Sequence, residues 1–394
     1  MVLVATCIVI DSTERKVMKR LRQLSSLNIP IAVTGCAGPV CSDKVRKAAP
    51  DAVLFAPGDL AGPTKYLNGV ACRVEETAKA AASRASTKRP RLTCVTKLPF
   101  TGKEDVVCPI PIASGCKGAC TYCITKKARG GLKSRPVREI IAEAKHSLNR
   151  GAVELHLCAQ DTGVYGTDIG SSLTELLESV CAIDGDFMVR VGMMNPGSVM
   201  CSFPELLDAF CDPKIYKFMH LPVQSGDDAI LSSMGRQYAA TAALGMMGSF
   251  RRRFPESTIS TDVIVGYPGE GSGAYGATRR FLELARPDMV NVTRFSPRPG
   301  TAAAGMAGIP HGRVIKARSR ELSSLWLAIA AENNRQWLGK RMCVMADEPG
   351  KGSTTMARTS GYKLVVIPKR VVLGRRYVVT VDRTNSINLY GKIA

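Results

Sequence analysis

The sequence lacks any long apolar run, and acidic residues are few for its size. No stretch of its 394 residues approaches the 18 or more apolar residues of a membrane-spanning helix, so no membrane association is predicted. The apolar start at 1–10 has neither the basic region nor the cleavage site of a secretory signal. Asp and Glu number 33 against 54 Lys and Arg, which leaves a formal net charge of +21. A charge of this sign and size favours nucleic acid as the partner.

A disulfide framework is also lacking. The 14 cysteines are scattered through predicted strands and helices, as Cys158 and Cys211 are, rather than spaced as paired half-cystines. This pattern indicates a reducing compartment, so we predict a cytoplasmic protein in which most cysteines are small buried hydrophobic residues. The composition, 45% hydrophobic and 22% charged, is typical of a globular protein, and the length suggests two or three domains.

Three of the cysteines form a compact motif. Cys116, Cys120 and Cys123 have the spacing Cys-x3-Cys-x2-Cys. A [4Fe-4S] cluster has four irons, so three protein thiolates leave one iron open for a small molecule to chelate. The spacing differs from the separated pairs of a zinc ribbon and from the longer run of a bacterial ferredoxin. From the spacing alone, a zinc site completed by a distant Cys or His remains the alternative.

The sequence divides into three regions of different pattern. Residues 1–97 alternate strand, helix and strand, which predicts a parallel α/β domain. Residues 103–334 repeat strand then helix about six times, which suits a partial (β/α)6 barrel better than a complete barrel of eight units. Residues 335–394 contain short β-like runs and have twelve Lys and Arg against three Asp and Glu, a net charge of +9. A small, basic, OB-like all-β barrel of this kind is a common nucleic-acid-binding module.

The cysteine triplet lies where function collects in such a barrel. It directly follows the first predicted strand, and a polar or Gly-rich loop follows each of the others. The predicted strands are 106–112, 153–159, 187–193, 217–223, 260–265 and 289–296, and the predicted helices include 227–252. In the last region the predicted β runs include 362–367 and 371–372. We therefore expect the loops after the six strands to surround one site.

The triplet, with an aromatic residue before its last cysteine, resembles the radical S-adenosylmethionine superfamily. Residues 115–130, Gly-Cys-Lys-Gly-Ala-Cys-Thr-Tyr-Cys-Ile-Thr-Lys-Lys-Ala-Arg-Gly, are closer to one family within it, the tRNA methylthiotransferases. Segments 160–166, 190–196, 220–226, 260–266 and 294–301 agree with that family in order. The resemblance covers essentially the whole chain and implies a methylthiotransferase domain, a radical SAM barrel and a TRAM RNA-binding barrel.

The resemblance also implies an activity. Gln-Asp-Thr-Gly at 160–163 and Gly-Met-Met-Asn-Pro at 192–196 resemble the archaeal and eukaryotic branch, which acts on N6-threonylcarbamoyladenosine. The enzyme would add a methylthio group to C2 of that adenine at position 37, in the anticodon loop of tRNA. It would need an electron donor, S-adenosylmethionine and a [4Fe-4S] cluster held by the triplet. The residues implied to line the S-adenosylmethionine pocket are Tyr122, Gln160, Arg190, Gln224 and Gly266.

The family has a second [4Fe-4S] cluster held by three cysteines of its first domain. Cys7 and Cys36 match two of them, and the remaining one would precede Met1, so the N-terminal domain is expected to be truncated. Three explanations compete: the coding region extends further, another thiol such as Cys41 substitutes, or the cluster is absent and S-adenosylmethionine is cleaved without sulfur insertion. A hypothesis of a different class is a non-catalytic, basic RNA-binding protein with a structural metal site.

Overall fold

The structure is a computed structural model that describes residues 2–9, 11–27, 29–59, 62–66, 69 and 106–394. The chain forms two compact units. The first contains Met1–Thr96, Tyr122–Gly131 and Ser296–Ala304, and the second contains Lys97–Thr121, Leu132–Phe295 and Gly305–Ala394. The predicted division into domains 1–97, 103–334 and 335–394 stays a prediction. Its first boundary lies outside the described residues.

A parallel sheet forms the centre of the first unit. Strands β1 (Val2–Thr6), β2 (Ile31–Gly35) and β3 (Val53–Leu54) lie in the order β1-β2-β3. Helices α1 (Asp11–Ser25), α2 (Ala37–Ala48) and α3 (Thr125–Arg129) belong to the same unit. In α1, Met18, Leu21 and Leu24 recur at helical spacing and are buried in one cluster with residues of the sheet.

Six parallel strands form the main body of the second unit. They are β4 (Val107–Pro111), β7 (Glu154–Cys158), β8 (Met188–Val191), β9 (Phe218–His220), β10 (Thr258–Val265) and β11 (Met289–Arg294). They pair in the orders β4-β7-β8 and β9-β10-β11, and a parallel bridge between Val189 and Ile215 continues the row from β8 towards β9. A small hairpin, β5 (Ala113–Ser114) and β6 (Lys133–Ser134), lies beside the first strand in sequence. The predicted six-strand α/β fold is confirmed.

Helices follow these strands along the chain. They are α4 (Val137–Asn149), α5 (Leu173–Cys181), α6 (Pro196–Val199), α7 (Phe203–Ala209), α8 (Asp228–Ser233), α9 (Ala240–Arg253), α10 (Ser272–Ala285) and α11 (Gly312–Arg335), with 3-10 turns at Thr162–Val164 and Ala302–Gly305. The single helix predicted at 227–252 was wrong. Gly235, in the left-handed region with φ +73°, separates α8 from α9, because its backbone approaches the carbonyl of Ala119 too closely for a side chain.

Side chains of β7 and β8 alternate between an apolar face and a polar one. Val189 and Val191 of β8 are buried in the main hydrophobic core with residues of the surrounding helices. Successive side chains of a strand point to opposite faces, so Arg190 lies on the other face, and it is paired in register with His156 of β7. On β7 and β8, the face opposite this core therefore carries polar side chains.

The C-terminal residues form a closed five-strand barrel. Its strands are β12 (Arg341–Pro349), β13 (Thr355–Thr359), β14 (Leu364–Ile367), β15 (Arg376–Thr384) and β16 (Leu389–Ile393), in the closed order β12-β13-β14-β16-β15. The prediction of a small all-β barrel is confirmed. Two details were wrong: 371–372 is not a strand, and the run predicted at 362–367 starts only at Leu364, because Tyr362 has a left-handed backbone with φ +66°. In the part of the chain that the structure describes, we find no helix with the length and apolar character to span a bilayer.

Candidate active site

The cysteine triplet lies on one loop between β5 and α3. Cys116, Cys120 and Cys123 are each half-buried, and none forms a disulfide. The backbone N–H of Gly118 donates to the Cys116 sulfur at 3.2 Å, and a Cβ at Gly118 would lie 3.3 Å from that sulfur and 3.7 Å from the Cys120 sulfur. Cys116 and Cys120 belong to the second unit and Cys123 to the first. Among the described residues, no three Cys, His, Asp or Glu side chains are gathered closely enough to hold a metal ion.

Hydrogen bonds of Thr121 and Tyr267 fasten the part of this loop that belongs to the second unit. The N–H of Thr121 donates to the carbonyl of Met234 at 3.0 Å, just beyond α8. The hydroxyl groups of Thr121 and Tyr267 lie 2.7 Å apart, and the Tyr267 hydroxyl donates to the carbonyl of Ser233 at 2.8 Å. Tyr267 is fully buried. Sequence reasoning missed this tyrosine as the anchor of the cysteine loop; its one signal was an aromatic residue within the Gly-rich loop at 266–270.

Two predicted pocket residues have buried polar atoms without partners. Gln160 follows β7, and its Oε1 has no hydrogen-bond partner among the described residues. The same holds for Nε of Arg190, whose guanidinium carbon lies 4.7 Å from the ring centre of Phe218. Buried polar groups in proteins are nearly always hydrogen-bonded, so each exception calls for a ligand or another explanation. These atoms fit a pocket that takes a polar small molecule.

Gln224 and Gly266, also predicted in the pocket, both have left-handed backbones. Gln224 has φ +76° and is buried; its N–H donates to the carbonyl of Asp262 at 2.7 Å. A non-glycine residue in this region is strained and is often found at functional sites. Gly266 has φ +80°, and a Cβ there would lie 2.5 Å from the Ile315 side chain, so only glycine fits. The structure supports special roles for both positions, and the assignment to a pocket stays a prediction.

Buried carboxylates hold the loops at the carboxyl ends of the strands. Glu270 is 2% exposed and accepts from the N–H of Gly266 and from Arg318, both at 2.8 Å. Burial raises the pKa of Glu270, although these two donors oppose the shift. Asp161 accepts from the N–H groups of Gly163 and Asn195 at 3.0 Å, which ties the loop after β7 to the loop after β8.

Cys7 and Cys36 lie at the same edge of the first unit's sheet. They directly follow Thr6 and Gly35, which are paired in register at the ends of β1 and β2. Cys7 is exposed and Cys36 is 4% exposed. Thr6 organises this edge: its hydroxyl donates to the Thr34 carbonyl at 2.7 Å and accepts from the N–H of Ala37 at 3.0 Å, so sequence reasoning missed a residue that positions both cysteines.

Cys41 lies on α2, at a point where the backbone departs from helical geometry with φ −138°. It is half-buried, and burial raises the pKa of its thiol, as do the charges of Glu14 and Cys36. Glu14 in turn forms a buried ion pair with Arg298, whose guanidinium also donates to the carbonyl of Ile8 at 2.7 Å. Nothing in the sequence placed Arg298, 284 positions away, beside Glu14.

Two family models match separate parts of the chain. Residues 110–282 match the radical SAM superfamily, and residues 1–56 match a family described as uncharacterized protein family UPF0004. The first match begins in β4, the strand before the cysteine triplet, and the second contains Cys7, Cys36 and the strands β1 to β3.

Three curated relatives carry related names. The probable threonylcarbamoyladenosine tRNA methylthiotransferase of Pyrococcus horikoshii is 40% identical over 370 residues, 93% of this chain and 84% of that protein. The corresponding protein of Archaeoglobus fulgidus is 37% identical with the same coverage. The human threonylcarbamoyladenosine tRNA methylthiotransferase is 35% identical over 69% of this chain and 47% of its own length.

A solved structure shares the fold. The radical S-adenosylmethionine methyltransferase TsrM from Kitasatospora setae, with cobalamin and a [4Fe-4S] cluster bound, superposes with a TM-score of 0.52. The match covers 73% of this chain and 62% of that protein, at 14% sequence identity. At this identity the likeness shows the fold alone.

Proposed function

The chain belongs to the threonylcarbamoyladenosine tRNA methylthiotransferase family, and from this we infer that it is a radical SAM enzyme that adds a methylthio group to threonylcarbamoyladenosine in tRNA. The observation that carries the proposal is the half-buried Cys-x3-Cys-x2-Cys loop, which follows the first strand of a six-strand parallel barrel in a chain of this family. The finer proposal is that the acceptor is C2 of the modified adenine at position 37, in the anticodon loop.

Cys116, Cys120 and Cys123 would hold one [4Fe-4S] cluster. Three thiols fit a cluster whose fourth iron binds S-adenosylmethionine, and Gly118 leaves space beside two of the sulfurs. When bound, the cluster and S-adenosylmethionine supply a carbon-centred radical that removes hydrogen from an unreactive C–H bond. We propose that Gln160, Arg190, Gln224 and Gly266 bind S-adenosylmethionine, since Gln160 and Arg190 have buried polar atoms that find no hydrogen-bond partner in the described part of the chain. Tyr122, half-buried and adjacent to Cys123, is proposed to contact its adenine.

Cys7 and Cys36 would provide ligands for a second [4Fe-4S] cluster. Their positions at the ends of two paired parallel strands bring two cysteines to one sheet edge, which fits a shared cluster. Thr6 fixes the backbone between them through its two hydrogen bonds. The second cluster would supply the sulfur atom of the product.

The basic C-terminal barrel is proposed to bind tRNA. Its exposed cations lie on several strands and turns: Arg341, Lys351, Lys369, Arg370, Arg375, Arg376, Arg383 and Lys392. Phosphate neutralisation by such residues gives affinity that falls steeply with salt. A separate electron donor is required to reduce the first cluster.

The test uses anaerobically reconstituted protein, a reductant, S-adenosylmethionine and tRNA that contains threonylcarbamoyladenosine. We expect 5′-deoxyadenosine and the methylthiolated nucleoside, both measured by mass spectrometry. Cys123→Ala should abolish both products, whereas Cys36→Ala should abolish only the methylthiolated nucleoside. Cys201→Ala, at an exposed cysteine outside both sites, is the matched control and should retain both. No 5′-deoxyadenosine from the wild-type protein would refute radical chemistry.

Iron content separates the two clusters independently of turnover. A content of about eight irons per reconstituted chain would support two [4Fe-4S] clusters. A content of about four irons in Cys36→Ala would place the lost cluster in the first unit. A wild-type content of about four would contradict the second cluster while leaving the first intact. Unfolding of Cys116→Ala, with no activity in the wild-type protein, would instead favour an RNA-binding protein with a structural metal.

A further inference from the structure

The turn between β13 and β14 of the C-terminal barrel has a strained residue at its end. Tyr362 has φ +66°, and its N–H donates to the carbonyl of Thr359 at 2.8 Å. A left-handed backbone costs an L-residue with a bulky side chain roughly 1–2 kcal/mol, so such a residue persists only where its surroundings hold it. Glycine or asparagine is the usual residue at a left-handed position, so the presence of a tyrosine here calls for a structural reason.

The rest of this turn is locked onto the six-strand barrel. The N–H of Lys217, just before β9, donates to the carbonyl of Ser360 at 2.9 Å. A Cβ at Gly361 would lie 2.0 Å from the carbonyl oxygen of Glu256, so only glycine permits this approach. Lys363 is 7% exposed, and its ammonium donates to Asp288 at 2.6 Å and to Asn334 at 2.9 Å. The turn is therefore fixed on both sides of Tyr362.

The tyrosine ring enters an aromatic cluster at the amino ends of the strands. Its centre lies 4.8 Å from the ring centres of both Tyr216 and Phe218, which are almost fully buried. The guanidinium carbon of Arg190 lies 4.7 Å from the ring centre of Phe218 and 5.3 Å from that of Tyr362. Arg190 is thus held over two aromatic faces, one from each barrel.

No carboxylate of the described residues neutralises Arg190. Glu154, two residues before His156 on β7, is fully buried and already accepts from His156 at 2.5 Å and from the Tyr216 hydroxyl at 2.9 Å. Nε of Arg190 is buried and has no hydrogen-bond partner in residues 106–394. Arg358 also lies against the Tyr362 ring, at 4.6 Å, but Arg358 is paired with Asp347. Arg190, which has no ion pair among the described residues, keeps its charge for a ligand.

We propose that Tyr362 is a positioning residue for the binding of S-adenosylmethionine: the C-terminal barrel inserts this ring into the six-strand barrel and orients Arg190 towards the cofactor. The C-terminal barrel therefore completes the cofactor pocket in addition to its proposed role in tRNA binding. This inference rests on the proposed function, because it takes Arg190 as a residue of the S-adenosylmethionine pocket.

The test compares three substitutions of Tyr362 in the full-length, reconstituted protein. Tyr362→Asn removes the ring but accepts the left-handed backbone. It should raise the Kd of S-adenosylmethionine and the KM for 5′-deoxyadenosine formation by about 3- to 30-fold, the range of a cation–π contact, with kcat within about twofold. Tyr362→Phe keeps the aromatic face and should behave as wild type, whereas Tyr362→Leu should resemble Tyr362→Asn. Equal parameters in all three variants would overturn the inference.

A double-mutant cycle of Tyr362 and Arg190 distinguishes the positioning of Arg190 by Tyr362 from a general effect of the substitution on the fold. Arg190→Ala should raise the Kd of S-adenosylmethionine, and Tyr362→Asn should add nothing further in the Arg190→Ala background. Tyr390→Asn is the matched control: Tyr390 is in the same barrel and stacks on Arg383 with a guanidinium-to-ring distance of 3.8 Å. This control should leave the Kd and KM unchanged, and additive effects of Tyr362→Asn and Arg190→Ala would refute positioning.

The outcomes distinguish this inference from the proposed function. If the wild-type protein cleaves S-adenosylmethionine but does not make the methylthiolated nucleoside, the proposed sulfur transfer is refuted. The role of Tyr362 is then still tested by the binding data. Wild-type activity together with an unchanged Tyr362→Asn would sink the inference alone. Failure of the wild-type protein to bind S-adenosylmethionine would overturn both.

Discussion

Removing Glu14 should destabilise the first unit more than removing Arg298. These side chains form an ion pair in which they are only 5% and 6% exposed, respectively. Burial opposes ionisation of Glu14, but the hydrogen bonds and charges of Lys44 and Arg298 outweigh it and lower the pKa of Glu14. Breaking a buried ion pair by removing one partner leaves an uncompensated charge, which costs about 3–5 kcal/mol.

The two substitutions differ in cost because Glu14 and Arg298 retain different partners when the other side chain is removed. In Arg298→Met, Glu14 retains Lys44, whose ammonium lies 2.6 Å away and is 55% exposed, so we expect a loss of about 1–3 kcal/mol. In Glu14→Gln, the partners that buried Arg298 retains among the described residues are the Ile8 carbonyl and the more distant Asp11, at 3.9 Å. The expected loss is then the full ~3–5 kcal/mol, and the double variant should be no worse than Glu14→Gln alone.

The assay is urea unfolding followed by two probes. Both tryptophans, Trp326 and Trp337, belong to the second unit, so their fluorescence reports on that unit, whereas far-UV circular dichroism reports on both. We expect the substitutions to shift the circular dichroism transition and to leave the fluorescence midpoint unchanged. Arg15→Met, which removes an exposed pair with Asp11, is the control and should cost less than ~1 kcal/mol. A larger loss for Arg298→Met than for Glu14→Gln, or strictly additive losses, would refute this reasoning.

Three further predictions concern the second unit. Gly266→Ala should lower the free energy of unfolding by about 1–3 kcal/mol in urea titrations, because of its φ of +80° and its contact with Ile315, while Gly271→Ala, with open space around it, should be neutral. Gly235→Ala should push the backbone of Ala119 and reduce the iron retained per chain after gel filtration, whereas Gly245→Ala, at an open helical position, should retain all of it. Burial raises the pKa of Asp347 to about 7, with Arg358 opposing the shift and Glu154 adding to it, so the contribution of Asp347 to stability is present below pH 3.8 and falls as pH rises from 3.8 to about 7. Asp347→Asn should remove up to ~1.4 kcal/mol per pH unit of that slope, measured by unfolding at several pH values, and an unchanged slope would contradict the assignment.

Strand positions and the site could be read from the sequence because both depend on local patterns. The strand predicted at 260–265 is contained in β10 (Thr258–Val265), because a short run rich in β-branched residues, ended by a Gly-rich loop, marks a buried strand of a parallel sheet. The cysteine spacing identified the cluster loop because ligand geometry constrains neighbours along the chain. The identity of the family followed from short motifs at strand ends, where the chemistry of a barrel collects.

The misses come from tertiary contacts that local patterns do not encode. Tyr362 was predicted to begin a strand because an aromatic residue before aliphatic ones favours one, but the locked turn forces it into a left-handed backbone. Gly235 lay within an apolar helical pattern, and only the close approach of Ala119 makes it a break. Arg298 lies in the loop after the last strand of the six, as its position in the sequence indicates. Its partner Glu14 lies 284 residues earlier, and no local pattern links the two.

The loops at the carboxyl ends of the strands form one hydrogen-bonded network, and this has a consequence for substitutions there. Asp161 accepts from Gly163, from Asn195 and, at 2.6 Å, from the Ser198 hydroxyl, and Asn195 accepts from Arg236 at 2.6 Å. The loops after β7 and β8 and the segment between α8 and α9 therefore share donors and acceptors, so a change in one alters the geometry of the others. Burial raises the pKa of Asp161, and these donors and the charge of Arg236 oppose the shift. Residues of such a network lose function together rather than additively, so single substitutions will overstate the separate contribution of each loop to cofactor binding.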